Sequence, residues 1–503
     1  MEAYAQEYES VLFSSSRERL ERIISWLQGA AATGMTHGEL EAHVQTEGRE
    51  LLRGLMQEHL DLRAANEVRL EDVVGADGES RRNKEPGHKR GLRTVFGEVD
   101  VRRMAYRARG QSNLHPADGH LNLPVEKHSH GLRRLAAEES SRGSFEEASK
   151  ALGRVTGFDL GKRQVEELAQ KAAQDFDAFY EQRPRHLSEA KDAQVLSCDG
   201  KGIIMRPEAL RESTRKAASE AEPKLKTRLS RGEKRHRKRM AEVGAVYDCP
   251  PVPRKPEDIL PSIEEEAEKP RTERPKARSK WLVASVIQDT ASVVAKVFDE
   301  AERRDPEQRR PWVALVDGNN HQIECIEAEA KWRNLTVPIF VDLIHVLEYV
   351  WKAAWCFFEE GDPQVEQWVR EQLLMILQGR SSDAAAAIRR KATYRQLTAE
   401  ERANADLAAD YLINKRPYLD YPTALRCGWP IATGVIEGAC RHLVKDRMEI
   451  TGARWGLQGA EAMLKLRALR ANGDFDDYWR FHLAQEQRRV HMRRYKNEVI
   501  PGE

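Results

Sequence analysis

PWVALVDG (311–318) and VPIFVDLIH (337–345) are the two stretches on which the reading of the fold turns. Each is a short apolar run that ends in a carboxylate, too brief for a helix and rich in the β-branched and aromatic residues of a buried strand. Just upstream, WLVASVIQ (281–288) reads as another strand, and ASVVAKVFDEAERR (291–304) has the spacing of a helix. Further upstream, VLSCDGKGIIM (195–205) reads as a short strand, a carboxylate and a second apolar run, and MAEVGAVYDC (240–249) as a further strand. Downstream, residues 346–428 are helical in pattern, and GVIEGACRHLVKDRM (434–448) is one more helix. Strands followed by strand–helix alternation imply a mixed α/β core.

The flanks differ in character. Residues 1 to about 70 read as helices, with Thr36-x-x-Glu39 as a capping box ahead of Leu40, Val44, Leu51, Leu55 and Leu62 at helical spacing. That pattern suits either a packed helical pair or an arm for dimerisation or DNA ends. Residues 76–88 read as a polar linker, and 92–108 as a β-hairpin about a Gly97-Glu98 turn. Between 129 and 180, Ser144-x-x-Glu147 caps one helix, a turn with Gly157 follows, and a second helix begins with Lys162, Arg163 and Gln164. This spacing fits a helix-turn-helix, with those three at the start of a recognition helix, and equally a plain helical hairpin. The regions are therefore 1–75, helical; 76–128, linker and basic hairpin; and 129–185, helix-turn-helix-like. Next come 190–345, the first part of the core with a charged insert at 206–280; 346–428, an all-helical insertion; 429–472, the final core helix; and 473–503, a basic tail.

Length and charge bound the function. The 503 residues leave room for about three domains. The 82 basic and 81 acidic residues nearly cancel but are unevenly spread. Lys224–Arg239 holds nine Lys/Arg and one Glu, while 263–268 is acidic. A basic strip of this kind is either a solvated face or a contact for a polyanion, with Arg235, Arg237, Lys238 and Arg239 as its densest part. Six scattered cysteines, with no C-x-x-C pair, form neither a disulfide framework nor a zinc finger and suit a reducing compartment. No run is long and clean enough to span a membrane, and residues 1–25 carry no secretion pattern.

Three carboxylates stand out. Asp199 and Asp317 each end an apolar run and precede a glycine, and Glu437 lies on a later helix. Either aspartate alone reads as a turn. Together the three make a small all-oxygen set of the kind that holds Mg²⁺ or Mn²⁺, two ions being expected, for in-line phosphoryl displacement. On an α-helix, Glu437, Arg441 and Lys445 share one face, which suits a phosphodiester running along it. Gly434 and Gly438 flank Glu437 as a close backbone approach would require.

SCDGKG, VALVDGN, DLIH, the long helical insertion and IEGACRHLVKDRMEITGARW together resemble a DDE transposase of bacterial insertion sequences. The likeness is nearest to the ISKra type and more distant to the Mutator-like transposases, and it covers most of the chain. The resemblance implies an RNase H-like α/β catalytic core interrupted by an all-α insertion, after an α-helical and hairpin DNA-binding region. It implies Asp199 on the first strand, Asp317 on the fourth and Glu437 on the helix after the insertion, as catalytic and metal-holding residues. Asp342 and His345, its D-x-x-H pattern, are then near the site without being core ligands. Asp342 is also a rival for the second carboxylate, or a helix cap. Among the tryptophans, mostly core by default, Trp455 beside Arg454 is the one expected to stack on a base. The implied partners are double-stranded transposon ends and target DNA, bound by a homodimer or larger assembly in a bacterial cytoplasm. Two alternatives are a sequence-specific DNA-binding protein with an idle core and a structure-specific nuclease.

Overall fold

The computed structural model of the chain describes residues 13–184, 191–221, 225, 227, 230, 236–260 and 273–502. Arg235, most of the basic strip before it and the acidic run 263–268 lie outside the described residues. The chain divides into two units, one of residues 1–181 with 474–503, the other of 182–473.

In the first unit, α1 (Ser14–Leu27) and α2 (His37–Ala65) pair through Arg19–Glu47 at 2.9 Å and through Ser16 and Glu58. The Thr36–Glu39 capping box forms, the Thr36 N–H donating to Glu39 Oε2 at 2.8 Å. Leu20, Ile24, Val44 and Leu55 remain exposed on this pair. The expected linker is partly strand, since β1 runs Asn83–Thr94 and pairs with β2, Gly97–Arg107. Thr94 faces Gly97 across the ladder, so the turn is Val95-Phe96, and Gly97 begins the return strand instead of lying in the turn. α3 (His130–Arg142), α4 (Phe145–Thr156) and α5 (Lys162–Ala172) then pack around Leu132, Leu152, Leu160, Val165 and Leu168. The Ser144–Glu147 capping box opens α4, and Gly157, at φ +80°, closes it.

The second unit is mixed α/β, built on a five-stranded mixed sheet. β3 (Ala193–Ile204), β4 (Lys238–Cys249) and β5 (Arg278–Ser285) form an antiparallel meander. α6 (Thr290–Arg304) returns the chain to β6 (Trp312–Val316), and α7 (Asn320–Trp332) leads to β7 (Ile339–Val341) and α8 (Leu343–Ala354). β6 runs parallel to both β3 and β7, giving the order β5-β4-β3-β6-β7. Two expectations are corrected here. The sequence around Asp199 is one continuous twelve-residue strand, so Asp199 lies within β3 and not at its end. The interval 206–280 is no mere insert, because it supplies β4 and the start of β5.

β6, WVALV, is buried along its whole length, as a central parallel strand must be. One sheet face carries α6, whose Val297 comes so close to Gly244 of β4 that an added Cβ would meet it at 2.5 Å. The other core joins Val195, Val313, Phe340 and Val346 to the insertion. The insertion comprises α9 (Gln364–Leu377), α10 (Ser381–Tyr394), α11 (Ala403–Asn414) and α12 (Tyr421–Arg426).

Beyond it come α13 (Gly434–Ala439), a π-turn at Cys440–Lys445 and α14 (Leu457–Asn472). Glu461 of α14 accepts from the Ser285 hydroxyl and the Val286 N–H, both at 2.9 Å, and so holds the end of β5. Residues 473–503 are not a tail. α15 (Phe475–Glu486) belongs to the first unit, where Glu486 accepts from buried Arg133 at 2.8 Å. His482, fully buried, lies between Arg133 at 3.0 Å and Asp175 at 2.7 Å.

Candidate metal centre

Three aspartates form a row by register. Leu196, Ala314 and Ile339 are cross-strand partners, and Asp199, Asp317 and Asp342 each lie three residues beyond them. Equal offsets give the three equal parity, so they share one side at the ends of β6 and β7 and beside β3. The Asp342 N–H donates to the Val316 carbonyl at 2.8 Å, which carries the ladder past the last strand residues.

A helix start crosses this row. The Thr433 hydroxyl is 2.6 Å from Asp342 Oδ2 and 3.1 Å from Glu437 Oε1, and the Cys440 thiol donates to Asp199 Oδ2 at 3.2 Å. Thr433 to Cys440 is seven helical residues, about 10 Å of axis. Two strand spacings are also about 10 Å. The segment thus reaches from the β7 end of the row to the β3 end, with Glu437 between its two anchors. Asp342, His345 and Glu437 offer ligand atoms within 4.8 Å of one another, the one such grouping among the described residues, and it contains neither Asp199 nor Asp317.

Electrostatics follow from burial and crowding. Burial raises the Asp199 carboxyl above its ordinary value, and the charge of Asp317 adds to that. Asp342 is fully buried, which alone would raise it, but hydrogen bonds from His345, Thr433 and the Ile344 N–H bring it below the ordinary value. His345 donates through Nδ1 to Asp342 at 3.0 Å, and that bond lifts the imidazole to about 8. Asp342 is therefore both the α8 cap and part of the acidic network.

Support comes from the insertion. The Tyr411 hydroxyl reaches the Asp317 carbonyl at 3.3 Å, and its ring stacks on Tyr349 with centroids 3.9 Å apart. Gly318, at φ +96°, is required there, because a Cβ would sit 2.6 Å from that hydroxyl. Lys415, 6 % exposed, donates to Asn320 Oδ1, and burial depresses its ammonium against the opposing charge of Asp317.

The remaining expected residues are scattered. The π-turn winds Arg441 and Lys445 off a single α-helical face with Glu437, and Arg441 and His442 instead lie 3.9 and 3.1 Å from Asp446. Gly434 and Gly438 face open space, so no close backbone approach explains them. Trp455 is 4 % exposed, its Nε1 donates to the Met448 carbonyl and Arg447 covers its ring, leaving no free face for a base. Trp332 and Trp355 are exposed, at 77 % and 47 %, against the expectation that they are core. Arg239 turns inward to the Val286 and Ala209 carbonyls, whereas Arg237, Lys238 and Arg454 are exposed. In the first unit, Lys162 pairs with Glu146 at 2.7 Å, Arg163 with Glu167 at 3.0 Å, and Gln164 caps the Gly161 N–H at 3.2 Å.

Sequence reasoning missed Thr433, Cys440, Tyr411 and Lys415. The i, i+4 spacing of Thr433 and Glu437 was the one available signal. Compared with models of known protein families and with curated proteins, the chain matches none.

Proposed function

We propose that this chain is a DDE-type DNA transposase, binding the ends of an insertion sequence and carrying out cation-dependent strand cleavage and strand transfer. The observation that carries the reading is the in-register row Asp199–Asp317–Asp342 with Glu437 laid across it. An antiparallel β3-β4-β5 meander whose first strand continues into parallel β6 and β7 supports an RNase H-like core. The donor set fits Mg²⁺ or Mn²⁺, being carboxylate oxygens with one imidazole at the edge. Asp199, Asp317 and Glu437 would hold the ions, with Asp342, whose ligand atoms lie within 4.8 Å of those of His345 and Glu437, as the rival second carboxylate. Divalent ions bound there supply Lewis-acid charge to the phosphate and ease deprotonation of the attacking oxygen.

The chain's own groups set the geometry. Thr433 and Cys440 pin the two ends of the row, His345 orients Asp342, and Tyr411 fixes the turn after Asp317. In the proposed reaction water attacks a phosphodiester and frees a 3′-hydroxyl, which then attacks target DNA with exchange of one P–O bond for another.

The test is an incubation with plasmid DNA, Mn²⁺ and a duplex of the element's end that carries a free 3′-hydroxyl. Joined product supports transposition. Nicking without joining supports a nuclease, and binding without either reaction supports an idle core.

A further inference from the structure

A cleft of about 700 Å³ opens in the second unit on the far side of β3 from its N-terminus. One wall is the chain entering β4 at His236–Lys238, and the other is the loop Glu449–Arg454. The floor is apolar, made by Ile204, Ile450 and Ala453, and the rim carries Arg237, Lys238 and Arg454. Trp455 makes the floor rigid: its N–H donates to the Ile204 carbonyl at 3.1 Å and its carbonyl accepts from the Arg206 N–H at 2.8 Å. Gly452, at φ +81°, turns the loop with nothing within 4 Å of where its Cβ would lie. Glu449 sits 3.9 Å from Lys238, so one acid partly offsets a rim of three cations.

The lining decides among polyanions. A pure phosphate site needs no apolar floor, and an apolar ligand needs no cationic rim. The volume falls within the 300–1,000 Å³ of small-molecule sites, too small for a duplex and ample for one nucleotide. Arginine planes at the rim are suited to lie on a base as well as to hold its phosphate. Ile204 lies five residues beyond Asp199 on the same strand, about 17 Å away.

We propose that this cleft seats a single unpaired nucleotide of a DNA strand, base inward against Ile204, Ile450 and Ala453 and phosphate on the cationic rim. The proposal rests on the DNA-processing reading above and transfers to this cleft the base contact that buried Trp455 does not offer.

The probe is an oligothymidylate of about 15 nucleotides with one central 2-aminopurine, near the length of a single-strand site. It is titrated into the full chain, reading both anisotropy and base fluorescence. Wild type is expected to bind and to raise the fluorescence as the base leaves its stack. The double variant Thr451→Leu, Ala453→Leu fills the cleft without changing charge; it should bind about tenfold more weakly, within the range of one lost base contact, and show no rise. Lys238→Gln with Arg454→Gln should weaken binding, lower its salt dependence and keep the rise in the bound fraction. Binding with no rise, or a rise that survives filling of the cleft, overturns the proposal while leaving the DNA reading intact. No binding by wild type overturns both. A circular-dichroism spectrum equal to wild type establishes that each variant is folded, and the rim variant serves if the filled one is not.

Discussion

The two ends of the central sheet treat their buried charges in opposite ways. At the end where β3 and β6 begin, the buried acids Asp248, Glu300 and Asp305 each have an arginine within 4.0 Å. Arg310, with a side chain 1 % exposed, donates to Asp248 at 2.8 Å, and Arg304 pairs with Glu300 at 2.7 Å. Asp305 accepts from the Trp312 indole and from the Arg309 and Arg310 N–H groups, all at 3.0 Å. At the end where β6 and β7 finish, four acids are served by one imidazole, the Thr433 hydroxyl, the Cys440 thiol and the backbone N–H groups of Gly200, Asn319 and Ile344, with Lys415 bonded to an amide. The first arrangement sets arginines against its buried carboxylates. The second leaves negative charge crowded in a half-buried place, which is costly unless something positive comes to it. That contrast is the physical ground for reading one end as structure and the other as a cation site.

The largest effect expected is on reaction. Asp317→Asn or Glu437→Gln should lower cation-dependent DNA cleavage by roughly a thousandfold or more, the scale of losing a principal charge at a transition state. Gel assays of wild type and variant would show it, and an active Asp317→Asn with a dead Asp342→Asn would move the second carboxylate to Asp342. Next is stability at the other end. Arg310→Met leaves buried Asp248 with Arg304 alone, 3.6 Å away, and should cost up to about 3–5 kcal/mol in a denaturant melt, with cleavage unchanged once allowance is made for the folded fraction. A smaller effect separates the ends by ligand. Mn²⁺ at about a hundred times its dissociation constant should stabilise wild type by roughly 2.7 kcal/mol, and Asp199→Asn should reduce that shift while Arg310→Met leaves it whole.

The smallest effect is in pH, and its sign differs between Glu300 at one end and Asp199 at the other. Burial alone would raise Glu300, but Arg303 and Arg304 hold it below its ordinary 4.5. Its stabilisation is present above pH 4.5 and lost as pH falls toward the folded value. Asp199 is raised above 3.8, so in metal-free protein its share of stability is present below 3.8 and lost as pH rises through the folded value. At neutral pH without metal, Asp199→Asn should therefore raise the melting temperature slightly and Glu300→Gln should lower it. The same sign for both would erase the contrast.

The contrast was half legible in the sequence. The aspartates that end VALVDG and VPIFVD declare themselves because a carboxylate cannot continue a buried strand, and a helix bearing Glu437 was visible from its pattern. Their alignment was not legible, since register depends on pairing between strands 118 residues apart, as in Leu196↔Ala314. Nor was the π-turn, which changes the facing of Arg441 and Lys445 without any change of composition. Trp455 read as a base-stacking residue beside Arg454, yet its indole N–H is taken by the Met448 carbonyl and Arg447 lies over its ring. Arg310 was invisible because its acid partner, Asp248, lies on another strand.

The return of α15 to the first unit has a consequence for how the chain is made. Arg133 and Asp175 emerge from the ribosome early, but their partners Glu486, His482 and Arg489 come near the end. At about 5–20 residues per second, that leaves the N-terminal unit waiting roughly fifteen seconds to a minute for its last helix. The whole of 182–473 is synthesised in the interval and can fold before the unit that brackets it. A message broken after codon 473 would thus yield a finished acid row attached to an N-terminal unit lacking its closing helix, with Arg133 and Asp175 buried beside no counter-charge from α15.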